Sequence, residues 1–175
     1  IGISLRYPKS NDIDEFWNNI VEQKQMTDEI PKERWNYQDY YDEDITNEEK
    51  TNSIYGGFLE GVDQFDAKFF RISPAEAELM DPQQRILLEQ AWKAVEDAGY
   101  SESEISGKRC GVYMGVTHGD YGKILEQRGL KNSKYAFTGL NPFMFTGRIA
   151  YVMNLKGPNM CIDTACSSSL VAIST

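Results

Sequence analysis

A chain of 175 residues with 41% hydrophobic and 12% aromatic content holds enough apolar material for one ordinary core, which excludes a disordered chain. Its formal net charge of −9 works against nucleic acid, whose binding rests on cations that neutralise phosphates, and no basic stripe offsets it. No apolar run approaches the ~20 residues that cross a bilayer and no signal-peptide pattern opens the chain, so a soluble cytoplasmic protein without membrane contact is expected.

Ile1 to Leu5 reads as a strand, clipped because no initiator methionine precedes it, and Pro8 to Asn11 as a turn. Residues 12–24 carry Ile13, Phe16, Trp17, Ile20 and Val21 at helical spacing, with Asp12 and Glu15 set like a capping box, so an amphipathic helix is expected. Residues 36–53 hold six acids among tyrosines and asparagines without any period, which predicts an acidic surface loop. Such a loop suits a docking patch, but a solvated loop is the simpler account. Ser73-Pro74-Ala75-Glu76 combines an N-cap, a proline at the first helical position and an acid at the third. Asp81-Pro82 opens a second helix, with Leu87, Ala91, Ala94, Val95 and Ala98 as its buried, close-packing face and Gly99 as its end. Cys110 to Val116 reads as a buried strand. Asn141-Pro142 opens a helix that places Phe145, Ile149, Val152 and Met153 on one face before Gly157-Pro158 stops it. Strands alternating with helices give an α/β fold with helical crossovers.

Chemistry is legible at one place. Met160, Cys161 and Ile162 suit a buried strand, and residues 167–173 suit a helix whose Leu170, Val171 and Ile173 face a core. Cys166 then lies at a strand-to-helix turn, where unpaired amides and the positive end of the helix dipole favour a thiolate, the form a thioester-forming nucleophile needs. A free cysteine is more often a small buried filler, so position alone does not decide the matter. Three cysteines in a chain without a secretory signal do not suggest a disulfide framework. A metal site from Cys110, Cys161, Cys166 and His118 lacks any paired ligand spacing, so no metal is expected. The glycines at Gly56-Gly57 and Gly107 lack phosphate-loop spacing and read as turns.

The wording around Cys166 goes further. The run from Gly157-Pro158 through Asp163-Thr164-Ala165-Cys166-Ser167-Ser168-Ser169-Leu170 resembles the nucleophile segment of β-ketoacyl synthases, the condensing domains of polyketide and fatty acid synthases. Segments around Gly57-Phe58-Leu59, Asp63 to Pro74 and Met80 to Glu89 resemble the same family in the same order, as does Gly147-Arg148-Ile149-Ala150-Tyr151, with Ala150 where serine is commoner. Ile30 to Trp35 and Tyr40-Tyr41-Asp42 look most like modular type I polyketide synthases served by separate acyltransferases, the trans-acyltransferase kind. The resemblance implies a thiolase-like layered αβαβα fold, of which residues 1–175 are expected to cover roughly the N-terminal half, as the N-terminal part of the domain clipped at both ends. Its last helix runs to Thr175 without a cap, as in a chain cut inside a helix; with the second half of the sheet and the catalytic histidines absent, Phe145, Ile149 and Val152 are expected to lack cover and residues 1–175 alone to be inactive.

By the same resemblance Cys166 is the catalytic residue that holds the acyl chain as a thioester, and the complete domain extends it by decarboxylative Claisen condensation. No cofactor is bound directly. The phosphopantetheine arm of an acyl carrier protein presents the substrates, and the complete domain is expected to pair as a homodimer through the strand at residues 159–164. The catalytic histidines of the family lie beyond the position of Thr175, and His118 matches neither, so a loop role is expected for it. A gatekeeping ketosynthase that passes acyl chains without condensing them is the alternative function. A cysteine hydrolase would need a downstream histidine and an orienting Asn or Asp, and is remote.

Overall fold

The computed structural model describes all residues from Ile1 to Thr175, which divide into two units: Ser4–Gly61, and Val62–Thr175 together with Ile1–Ile3. The smaller unit contains helix α1 (Ile13–Val21) and an antiparallel pair, β1 (Asp28–Glu29) with β2 (Tyr55–Gly56). Asp12 caps α1 as its spacing predicts, accepting from the Glu15 N–H at 2.8 Å, while the Glu15 carboxylate reaches back to the Asn11 N–H. The amphipathic stripe of this helix is not covered within residues 1–175. Ile13, Trp17, Ile20 and Val21 are exposed, only Phe16 is half-buried, stacked on Tyr7, and the buried residue is Asn19. Asn19 Nδ2 donates to Lys9 O and Ser10 Oγ, so the helix is seated on the preceding turn by hydrogen bonds rather than by its apolar stripe.

The acidic segment is a surface loop, but a stitched one. A 3-10 turn at Tyr37–Asp39 and a bridge between Tyr41 and Thr51 close it. Inside it Asp42 accepts from Asp44 N and Asn47 Nδ2, and Asp44 accepts from the amide and hydroxyl of Thr46. These hydrogen bonds to the charged form hold both carboxyls below the ordinary range.

The larger unit begins with α2 (Pro74–Ala77), α3 (Pro82–Asp97) and α4 (Glu102–Ile105). Both proline starts behave as read: Ser73 accepts from Glu76 N and Asp81 accepts from Gln83 N. Strand β3 (Val112–Gly115) follows, then α5 (Tyr121–Gln127), α6 (Ala136–Leu140) and α7 (Phe143–Val152), then strand β4 (Asn159–Ile162) and α8 (Ser168–Ser174). The strands pair in parallel, with Met114 opposite Cys161 and Gly115 opposite Ile162, so α5 to α7 form the crossover that parallel pairing requires.

Residues 1–5 form no strand. Ile3 N–H donates to Asp97 Oδ2 at 2.8 Å instead of to a neighbouring backbone, and Gly2 lies directly against Ala94 and Ala98. The small residues on α3 therefore serve close packing as expected, but its most buried row is Gln84, Arg85 and Leu88 rather than one centred on Leu87. Gln84 is buried because it is shared: its Nε2 donates to Thr138 O, and its Oε1 accepts from Arg148 Nε at 2.7 Å. Arg148 also pairs with Glu76 at 2.8 Å, tying α2, α3, α6 and α7 together.

The core lies between α3, α7 and one face of the sheet, where Phe70, Met80, Leu88, Ile149 and Met153 are buried with Val112 and Met114 against them. Phe145 and Ile149 were expected to lack cover, yet they are 1% and 2% exposed. The strands and α3 cover them within this chain. Helix α8 takes the opposite face of the sheet. Within residues 1–175 Ser168 is buried and Val171 half-buried, while Leu170 and Ile173, expected to face a core, are 73% and 82% exposed. Gly115 sets the approach: a Cβ there would lie 2.6 Å from Ser169 N and 2.7 Å from Ser168 C, so the helix backbone sits on bare strand.

Asp81, 4% exposed at the start of α3, gives a pH prediction. Burial pushes its carboxyl above the ordinary range, against the hydrogen bonds from Gln83 and the charges of Arg85 and His118. A carboxyl raised in the native state contributes stability that is full below the unfolded value of about 3.9 and is lost as pH rises through the native value. Asp81→Asn keeps the capping oxygen without the charge. The variant should match the parent near pH ~3 and exceed it increasingly as pH rises above the unfolded value of about 3.9 toward the native one, as read from urea midpoints.

Candidate active site

The C-terminal ends of β3 and β4 lie side by side, the position at which parallel sheets carry their sites. Pairing continues one step past the strands, where Val116 N–H donates to Ile162 O at 3.1 Å. Beyond that step Asp163, Thr164 and the 3-10 turn Ala165–Ser167 carry the chain into α8, and Cys166 sits on that turn, exposed. Ala165 has φ +55°, a left-handed conformation that a residue with a Cβ adopts only when its surroundings enforce it.

The enforcing contacts come from the polar residues that flank Cys166. Asp163 Oδ1 accepts from Ala165 N–H at 3.1 Å. Thr164 N–H donates to Ser168 Oγ at 2.9 Å, and that hydroxyl donates to Ala165 O at 2.7 Å. Ser167 Oγ donates to Thr164 O at 2.9 Å. Asp163, Thr164, Ser167 and Ser168 thus do turn and cap chemistry, and no acceptor in the chain takes the N–H of Cys166. An exposed thiol beside a free amide at a held turn is an arrangement that suits acyl transfer, with the amide available to a developing oxyanion.

The other cysteines are placed differently. Cys161 points to the α7 side of the sheet, half-buried, with Sγ donating to Pro142 O at 2.7 Å and 3.5 Å from Thr146 Oγ1. Cys110 is exposed before β3, its Sγ directed at Gly111 O. His118 is exposed in the loop after β3 and forms no hydrogen bond, which agrees with a loop role. His118→Ala should accordingly leave the rate of Cys166 alkylation by iodoacetamide within about twofold of the parent, measured by intact mass. No three His, Cys, Asp or Glu side chains converge as a metal site would require. The residues that sequence reasoning missed are Thr117, whose hydroxyl donates to Asp163 Oδ2 at 3.2 Å, and the left-handed Ala165.

The family described as β-ketoacyl synthase, N-terminal domain, matches residues 1–175. The chain belongs to that family. Its ketosynthase relatives include polyketide synthase PksN of Bacillus subtilis, 44% identical over 99% of this chain and 3% of the relative. Polyketide synthase ThaG of Burkholderia thailandensis is 42% identical, again over 99% of this chain and 3% of its own length. Among solved structures, a ketosynthase from module 6 of the bacillaene synthase of B. subtilis superposes with TM-score 0.88 at 41% identity, over 99% of this chain and 28% of that one. The oxazolomycin ketosynthase domain OzmH KS7 of Streptomyces albus gives TM-score 0.91 at 38% identity, over 99% and 30%. The chain therefore has the thiolase-like ketosynthase fold and spans under a third of these ketosynthases. Its helix–sheet–helix layering, with α3 and α7 on one face and α8 on the other, is the part of the ketosynthase that carries Cys166.

Proposed function

We propose that this chain supplies the acyl-accepting part of a polyketide synthase ketosynthase, with Cys166 as the nucleophile. The observation that carries the reading is the exposed Cys166 thiol on a held strand-to-helix turn, beside its own unpaired N–H. The thiolate attacks the carbonyl of an acyl thioester on the phosphopantetheine arm of an acyl carrier protein. The oxyanion forms against the Cys166 N–H, and the pantetheine thiol leaves as the Cys166 thioester forms. In the complete enzyme a malonyl-type carrier thioester then loses carbon dioxide, and its enolate carbon attacks the Cys166 thioester and releases the thiolate. Elongation of the polyketide follows. The Bacillus relatives support the trans-acyltransferase kind. The unpaired outer edge of β4 supports a homodimer joined there, and three free thiols suit the cytoplasm.

The test uses the ketosynthase-length chain. Incubation with an acyl-pantetheine thioester, proteolysis and mass spectrometry should place the adduct on the peptide of Cys166 alone. Labelling of Cys110 or Cys161 at a comparable rate would sink the assignment. Adding a malonyl carrier thioester separates elongation from gatekeeping, since elongation yields carbon dioxide and a lengthened β-ketoacyl chain.

A further inference from the structure

We infer that Thr117 is a positioning residue for Cys166, acting through Asp163; this deepens the proposed role of Cys166 as acyl acceptor and rests on it. The turn that presents Cys166 is held mainly by its own hydrogen bonds, which run between residues 163 and 168. Only one side-chain hydrogen bond reaches that turn from elsewhere in the chain: Thr117 Oγ1 donates to Asp163 Oδ2 at 3.2 Å. The other oxygen of the same carboxylate accepts from Ala165 N–H. One carboxylate therefore joins the end of β3 to the strained residue just before the nucleophile. With Oδ2 held, Oδ1 is aimed at the Ala165 amide, and the left-handed φ of +55° at Ala165 is kept.

The loop that carries Thr117 is itself seated. Gln83 Nε2 approaches Thr117 O at 3.5 Å. At Gly119 a Cβ would lie 2.7 Å from Asp81 Oδ2 and 2.6 Å from Gln83 Nε2, so the loop rests directly on the start of α3. Positional information thus passes from the buried cap of α3 through the loop after β3 to the Cys166 turn. Without the Thr117 hydroxyl, Asp163 keeps the Ala165 hydrogen bond but loses its second anchor. Ala165 is then free to relax toward the right-handed region, which swings the Cys166 thiol and N–H relative to each other. Acyl transfer needs both at one carbonyl. Alkylation by a small reagent needs the thiol alone.

That difference supplies the test, made on the ketosynthase-length chain with Thr117→Val, Thr117→Ser and Cys166→Ala. Thr117 is exposed, so the valine variant should keep the melting temperature of the parent. Single-turnover acylation by an acyl-pantetheine thioester should slow at least ~10-fold at saturation in Thr117→Val, with the half-saturating concentration unchanged. The iodoacetamide rate should stay within about twofold, and Thr117→Ser should restore acylation to within about twofold. Wild-type acylation on Cys166 with an equal rate in Thr117→Val overturns this inference alone. Parallel loss of acylation, alkylation and melting temperature overturns it as well, because Thr117 would then serve the fold rather than the turn. Absence of a wild-type adduct on Cys166 overturns the functional reading and this inference together.

Discussion

Cys166→Ala is expected to eliminate the covalent acyl adduct while leaving the unfolding free energy within about 0.5 kcal/mol of the parent. The thiol is exposed and its sulfur enters no hydrogen bond, so its removal opens no cavity and strands no polar group. The turn around it is held by Asp163, Ser167 and Ser168, whose contacts do not involve the Cys166 side chain. Cys161→Ala should behave in the opposite way. Its sulfur donates to Pro142 O at 2.7 Å from a half-buried position; alanine removes that hydrogen bond, while Pro142 O keeps the Phe145 N–H, so the change costs about 0.5–1.5 kcal/mol, with the adduct retained. Urea unfolding and mass spectrometry on the two variants read both halves of the contrast. An adduct that survives Cys166→Ala would remove the nucleophile from this turn.

Much of the frame is written in local sequence. The Ser73-Pro74 and Asp81-Pro82 starts, the Gly99 end of α3 and the strand on either side of Met114 follow from caps, turn residues and short apolar runs. The strand-to-helix position of Cys166 follows in the same way. Orientation is less legible, because periodicity identifies a stripe and says nothing of which neighbour reaches it. In α1 the apolar stripe is outward and a buried asparagine does the seating. In α8 Ser168 and Val171 take the side of the sheet, where Gly115 permits a close approach, and Leu170 and Ile173 lie away from it within residues 1–175. The buried row of α3 passes through Gln84 and Arg85, which a hydrophobic pattern skips, and Gln84 is buried only because Arg148 and Thr138 O lie far along the chain.

The site divides along the same line. The proposed nucleophile, Cys166, carries a local signature, a thiol between a strand and a run of small hydroxyl residues. The φ of Ala165 has none, since alanine ordinarily avoids that region. Thr117 is separated from Asp163 by 46 positions and becomes a partner only when β3 and β4 pair in parallel. Register, not composition, makes that contact.

Gly115→Ala tests whether α8 and the Cys166 turn move as one piece. The added carbon would stand 2.6 Å from Ser169 N, 2.7 Å from Ser168 C and 2.9 Å from Ser169 Cα. All three are backbone atoms, so no side chain can rotate to make room and the helix must lift from β3. Overpacking of this kind costs about 1–3 kcal/mol. Ser168 is the residue displaced first, and its hydroxyl both receives Thr164 N–H and donates to Ala165 O. A shift of α8 therefore loosens the turn from its far end while Thr117 still holds the near one. Because misplacement of a reacting group by about 1 Å can cost ~100-fold, acylation should fall by at least ~10-fold even where the chain remains folded. Circular dichroism melts and single-turnover acylation of the ketosynthase-length variant measure the two effects. A variant that melts lower but acylates at the parent rate would show that the turn keeps its geometry without α8 seated on bare strand.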